Sequence, residues 1–395
     1  MIVADFRLTR IHQLGYLKHF NFQSANLAPL YVFFVYCCLI TLFMPFVFDG
    51  IEVVSPGQDN GTYAKLHFSL KHILQIIYIA LHVIVIIILK TISNRFLFLK
   101  IFKLINSLIL FVSIIGFWEF FAKVSETYAF PSDFLYNNPS YAQYWLQGIR
   151  LNSTFTEPSY AGAFLGASVA YLLYSRINVK LLVIAAIALI LNLSGTGLVS
   201  FSLFCFFSLL IEKQNRGKYI FIIMMFILII TVFISLIGYK DLMYDMLIYK
   251  ADSQSGTERS SIILFTINLL EETYFLGLGL GSHRCFSFLT GMMANIGIVG
   301  LLLFFWYIFI ILRPICKSRN RYAKGLLAFD ISLFFALCIA IPDFTFPVLW
   351  MSIFLTTIIS SKLTSSSEYK RKLFVLYKIS ANSESWFMRK IYKLF

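Results

Sequence analysis

The stretch FLTGMMANIGIVGLLLFFWYIFIIL, residues 288–312, decides the class of fold. It carries no Asp, Glu, Lys or Arg, and it exceeds the roughly 20 apolar residues that cross a hydrocarbon core about 30 Å thick. Similar runs are read at 28–48, 70–89, 104–122, 159–175, 179–194, 197–211, 219–238, 325–341 and 346–361, which makes about ten expected spans. Over 395 residues the chain is 59% hydrophobic and 13% charged; soluble domains sit at roughly 45–50% and about 25%. A helix satisfies its own backbone groups in lipid. The expected fold is therefore all-α, a polytopic membrane bundle over 28–361 between a tail at 1–27 and a basic tail at 362–395. The runs at 179–194 and 197–211 are short and joined by SGTG at 194–197. A re-entrant pair fits them as well as two crossings, and both return the chain to one side.

Charge sets the orientation. The net charge is +14, from 33 Lys and Arg against 19 Asp and Glu. Of the 33 basic residues, 25 fall in 1–27, 90–103, 176–180, 212–218, 313–324 and 362–395, which share one side when the spans are counted in turn. By the positive-inside rule that side is cytoplasmic, so both termini are expected inside. The basic balance then reflects topology and contact with anionic membrane lipids, and no nucleic-acid partner is expected. The outer segments 49–69, 123–158 and 239–287 are long and hold 12 of the 19 acids. Long loops of mixed charge usually carry function, so the two largest, 123–158 and 239–287, are the expected working surface. Within the last, TERSSIILFTINLL at 257–270 has near-helical apolar spacing. It reads as an amphipathic helix that lies on the membrane or packs over the bundle.

The candidate chemistry is sparse. Six Cys show no metal-ligand spacing, and six His are scattered, so neither a metal nor another cofactor is expected. Inside the spans the acids are Glu119 and Asp330. Proton-coupled carriers place ionisable groups in the bilayer repeatedly, so the balance tilts toward a surface-facing catalyst or binder. In GIRLNSTFTEPSYAGAFLG, residues 148–166, a polar run with Arg150 and Glu157 leads into a span. Pro158 opens that span, so Glu157 either complements a helix dipole or does chemistry. Arg150 either contacts lipid phosphate or holds a substrate. Arg259, in GTERSS, is a solvated or helix-surface cation, or a ligand. In GLGLGSHRCFS, residues 277–287, three glycines form a flexible stretch whose bare backbone suits close approach to a ligand. No strand precedes them, so a nucleotide-binding loop is not implied. His283 and Arg284 follow, the histidine open to a structural or a catalytic reading.

These stretches resemble the bacterial Wzy-type polysaccharide polymerases, a family related to the O-antigen ligases. The first is Arg150 followed by Phe155, Glu157, Pro158 and Ser159 at the start of a span, with Gly166 at the family's spacing from Arg150. The second is the small-residue turn at 194–197. The third runs from Gly256 and Arg259 through Gly277, Gly279, Gly281, His283 and Arg284 to Gly297 and Gly300. Leu270 departs from the pattern, which in some members has Gly eleven positions after the second arginine.

The resemblance implies a GT-C-like bundle in the bacterial inner membrane. It also implies transfer of a growing glycan from undecaprenyl pyrophosphate onto the next lipid-linked oligosaccharide repeat, in O-antigen or capsule assembly. Arg150, Arg259 and Arg284 would stabilise the leaving pyrophosphate without a metal. Glu157, or else His283, would orient or deprotonate the acceptor hydroxyl. A flippase and a chain-length regulator are the protein partners that such a polymerase implies. An O-antigen ligase acting on lipid A core and a lipid-linked oligosaccharide flippase are the alternative expectations.

Overall fold

A computed structural model of the chain describes residues 27–55, 63–92, 95–127, 130–131, 135, 149–176, 178–211, 217, 220 and 254–382. The expected span at 219–238 apart from residue 220, the tail at 1–26, most of 123–148, residues 239–253 and residues 383–395 lie outside them. The described chain is mostly helical. Its helices are α1 (Ala28–Val47), α2 (Leu70–Ile92), α3 (Arg95–Val124), α4 (Pro158–Ser175), α5 (Val179–Asn192), α6 (Gly195–Ile211), α7 (Gln254–Glu272), α8 (Phe288–Lys317), α9 (Arg321–Ala340) and α10 (Pro347–Asn382). One small antiparallel hairpin, β1 (Glu52–Val54) with β2 (Tyr63–Lys65), pairs Val53 with Ala64.

Among the described residues, six helices are long and apolar enough to cross a membrane: α1, α2, α3, α8, α9 and the Pro347–Thr364 part of α10. The protein is thus an all-α, multi-pass membrane protein. Helices α5 and α6, at 14 and 17 residues, are shorter. The expected end of the last span at 361 is not a break in structure, since α10 continues to Asn382.

Helix α4 owes its moderate apolarity to its position. Nearly every one of its residues is buried, and it is rich in Ala, Gly and Ser. Helices in lipid gain little from hydrophobicity alone, so small residues that let backbones approach carry the packing. A Cβ on Gly197 of α6 would meet the Gly162 carbonyl oxygen at 2.7 Å, and one on Gly166 would meet the Gly197 oxygen at 3.0 Å. On the opposite face, a Cβ on Gly325 of α9 would lie 2.9 Å from the Tyr171 oxygen. The SGTG turn is therefore a packing seam between α4 and α6. Gly197→Val should cost about 1–3 kcal/mol by overpacking, read as a lower thermal midpoint in detergent.

Helix α8 is broken at Gly297, whose φ of 69° is a conformation that favours glycine. The Phe288 and Phe304 rings on either side of the break are 6.1 Å apart, so the two limbs fold toward each other. The freed backbone groups are taken up by the segment before the helix. Leu278 N donates to Ala294 O, Gly279 N to Asn295 O and Ile298 N to Phe275 O. This packing fixes the stretch that was expected to be flexible, while Gly281 at its end still lines a cavity. A Cβ on Gly277 would lie 2.4 Å from Gly297 N, one on Gly279 3.1 Å from Thr41 Cα, and one on Gly281 2.9 Å from Gln75 Cγ. All three glycines, with φ between 80° and 97°, are absent of side chain because protein packs there.

Helix α7 covers the hairpin. Its Leu269 is buried with Val53, Leu66 and Leu278, and Phe265 meets Tyr63 edge-on at 4.9 Å. Leu264 and Ile267 remain exposed on its outer side.

Candidate functional site

The loop before α4 is held from two sides. Leu151 fills the notch left by Gly116 of α3, where a Cβ would lie 2.7 Å from its side chain. One turn further along α3, Glu119 is fully buried. Its Oε2 accepts from Asn152 N at 2.6 Å and Ser153 N at 2.5 Å, and its Oε1 pairs with Lys123 Nζ at 2.7 Å. Lys123 also donates to the Arg150 carbonyl at 2.7 Å. From α5, Asn192 Nδ2 donates to the carbonyls of Leu151 and Pro158. The acid that stood out inside a span is therefore the clasp of this loop. The other one, Asp330, accepts from Ser352 and from Thr356 at 2.6 Å, both on α10.

The loop delivers Glu157 to the residue preceding α4, where its carboxylate accepts from Ser159 Oγ at 3.1 Å. Arg150 sits at the far end of the same loop. Its half-buried guanidinium has its pKa lowered by desolvation, and the charge that feels it is Lys123. No described contact brings its side chain to Glu157.

The segment after the glycines is equally tied down. Asn295 Oδ1 accepts from Ser282 N and His283 N, each at 3.1 Å, and its Nδ2 donates to His283 O and Gly291 O. His72 Nε2 meets Ser282 Oγ at 3.1 Å. His283 is buried, and both its ring nitrogens are engaged. Nδ1 accepts from Val54 N at 3.1 Å and Nε2 lies 2.8 Å from Thr266 Oγ1. This neutral tautomer joins the hairpin, α7 and the segment before α8, with each ring nitrogen held by a protein partner. Burial pushes the His283 pKa down to about 4. The sign follows: an unfolded histidine takes up a proton below about 6.5, the folded one only near 4. Stability is complete above pH 6.5 and falls by about 3 kcal/mol as pH drops to 4. A melting series in detergent across that window should show the slope in the wild type and lose it in His283→Gln.

Beside this scaffold lies a cavity of about 280 Å³. Arg284, Gln75, Asn295, Asp343 and Thr345 supply its polar lining. Asp343 comes from the short connection between α9 and α10, fixed in place by Phe344, which packs on Phe33, Phe304 and Trp350. The Tyr160 hydroxyl, in the first turn of α4, donates a short hydrogen bond to the Asp343 carboxylate. Glu157 and Arg284 both lie within electrostatic reach of that phenol. The fold thus gathers Glu157, Arg284, Tyr160 and Asp343 from three separate segments. Arg259 of α7 has its guanidinium 5.3 Å from the Phe286 ring centre, a half-exposed cation–π contact.

Tyr160 and Asp343 were not among the candidates read from the sequence. The available signal was positional: Asp343 is a lone acid after Pro342, between two apolar runs. A cavity holding a cation, an acid and amide groups suits an anionic and hydroxylated ligand, with the arginine on the anion and the carboxylate on a hydroxyl. The chain matches no family model, no curated protein and no solved structure, so its reading rests on its own residues.

Proposed function

We propose that this protein is a membrane glycosyltransferase that polymerises lipid-linked oligosaccharide repeats, moving a growing glycan from a polyprenyl pyrophosphate carrier to the next repeat. What supports this reading is the meeting of Arg284 and Asp343 in one cavity at the ends of apolar helices, with Glu157 within electrostatic reach of the tyrosine that bonds Asp343. The substrate of such an enzyme is itself amphiphilic, with a polar head at the membrane surface and an apolar tail. Under this proposal the bundle has about ten spans, both termini are cytoplasmic, and the cavity opens to the outer face of a bacterial inner membrane.

In this mechanism Arg284 stabilises the charge that develops on the departing pyrophosphate, since a guanidinium forks onto phosphate oxygens. Glu157 or Asp343 accepts the proton of the attacking sugar hydroxyl. Tyr160 holds Asp343 in one orientation. His283 acts by fixing the backbone that carries Arg284, and Arg259, stacked on Phe286, and Arg150 engage more distant phosphate or lipid-head oxygens.

The test is elongation by the purified protein in detergent, supplied with lipid-linked repeats. A ladder of longer glycans is expected. Of Glu157→Gln and Asp343→Asn, the one that replaces the base should slow the ladder about 100-fold. Transbilayer movement of the same lipids without elongation would identify a flippase, and transfer only onto a lipid A core would identify a ligase.

A further inference from the structure

A second cavity, of about 590 Å³, lies among α8, α9 and α10 and shares no lining residue with the first. Phe305, Ile308, Phe309, Phe334, Leu337 and Ile353 are typical of its walls. The volume falls within the roughly 300–1,000 Å³ of ordinary ligand sites. Two features set it apart from a gap between helices. Its lining ends at Arg313 and Lys317, in the last turns of α8. Both are exposed and four positions apart, so they stand on one face of the helix.

Like charges at this spacing repel, and an anion between them removes the repulsion. The next residues add Arg319, Arg321 and Lys324, so the rim belongs to one of the most basic short segments of the chain. Asp330, on the cavity wall, has both carboxylate oxygens engaged by Ser352 and Thr356, which turns its charge toward α10. An apolar slot in a membrane helix bundle, ending at two cations, complements one molecule with an apolar chain and an anionic head. Snorkelling cations at a helix end would not by themselves require a slot beneath them.

We infer that this cavity binds one anionic membrane phospholipid, with an acyl chain among α8, α9 and α10 and the phosphate between Arg313 and Lys317. The guanidinium grips phosphate oxygens bidentately and the ammonium adds a point charge. Basic segments of this kind attract anionic lipids at a membrane surface. The inference is independent of the proposed catalytic activity, since it uses none of the residues around the first cavity.

Native mass spectrometry of the purified full chain tests it, with phosphatidylglycerol and phosphatidylcholine of identical acyl chains added together. One retained phosphatidylglycerol per chain is expected, in at least ten-fold preference over phosphatidylcholine. Arg313→Gln with Lys317→Gln, both at exposed positions, should reduce the preference at least five-fold. Leu337→Trp should block retention of both lipids while leaving the two cations in place. Equal retention of the two lipids by the wild type would overturn the inference, as would an undiminished preference in the double variant. Tighter retention of a polyprenyl phosphate than of phosphatidylglycerol would also overturn it, and would make the slot a carrier-lipid site. The double variant decides the matter even if the tryptophan variant fails to fold.

Discussion

Glu119→Ala is expected to destabilise the protein by about 3–5 kcal/mol, the usual cost of leaving one member of a buried ion pair without its partner. Lys123 would keep its ammonium in a buried position, still donating to the Arg150 carbonyl but without the carboxylate that balances its charge. The loss does not end there, because Glu119 Oε2 also receives the amides of Asn152 and Ser153. A buried N–H without a partner costs about 1–3 kcal/mol. The double variant Glu119→Ala with Lys123→Met separates the two contributions. Removing the stranded charge should recover part of the loss, and the residue left should match the cost of the unpaired amides. Thermal unfolding in detergent, followed by intrinsic fluorescence, measures both. Full recovery in the double variant would show that the loop amides find other acceptors, and the clasp assigned to Glu119 would be wrong. A second readout follows from position. The loop ends at Glu157, so Glu119→Ala should raise hydrogen exchange across 151–157 well before global unfolding.

Under the proposed polymerase function, Arg284→Ala should lower glycan elongation about 1,000-fold while leaving the thermal midpoint nearly unchanged. The stability half rests on exposure, since Arg284 is exposed and the structure is held there by its backbone, through Arg284 N to Val54 O at 2.9 Å. The activity half rests on chemistry. Donors aimed at charge that appears in the transition state contribute about 100- to 1,000-fold, and arginines on phosphoryl charge rather more. Arg284→Lys keeps the charge and loses the fork, so it should recover only part of the rate. Single-turnover elongation with purified lipid-linked repeats distinguishes a slow chemical step from weak binding. A rate within a few-fold of wild type in Arg284→Ala would remove Arg284 from the pyrophosphate site.

Particular residues show what could be read in advance. The helices α1, α2, α3, α8, α9 and α10 were legible because an apolar run long enough for the bilayer is a local property of the chain. Helix α7 was legible from its spacing, although its inward face packs on the hairpin through Leu269 and Phe265. Glu157 and Arg284 were legible as charges in polar loops next to spans. The role of Glu119 was not, because an acid inside an apolar run reads as a cost until the loop amides it satisfies are in view. His283 was open to two readings, and its two ring partners, Val54 and Thr266, are distant in the chain or lie on another element. Asp343 and Tyr160 left no motif at all, since their contact crosses from the first turn of α4 to the connection after α9.

By itself the sequence determined that this chain is a helical membrane protein, where six of its membrane-length helices run, and which few acids lie inside them. Hydrocarbon thickness and backbone desolvation act on each segment separately, so those properties need no knowledge of neighbours. Only the tertiary structure decided which charges meet. That depends on the break of α8 at Gly297 and on the glycine seam of Gly162, Gly166 and Gly197. It depends also on the clasp of Glu119 and Lys123 that sets the loop carrying Glu157. Each is a contact between segments far apart in the chain, and its geometry exists only once the helices have packed.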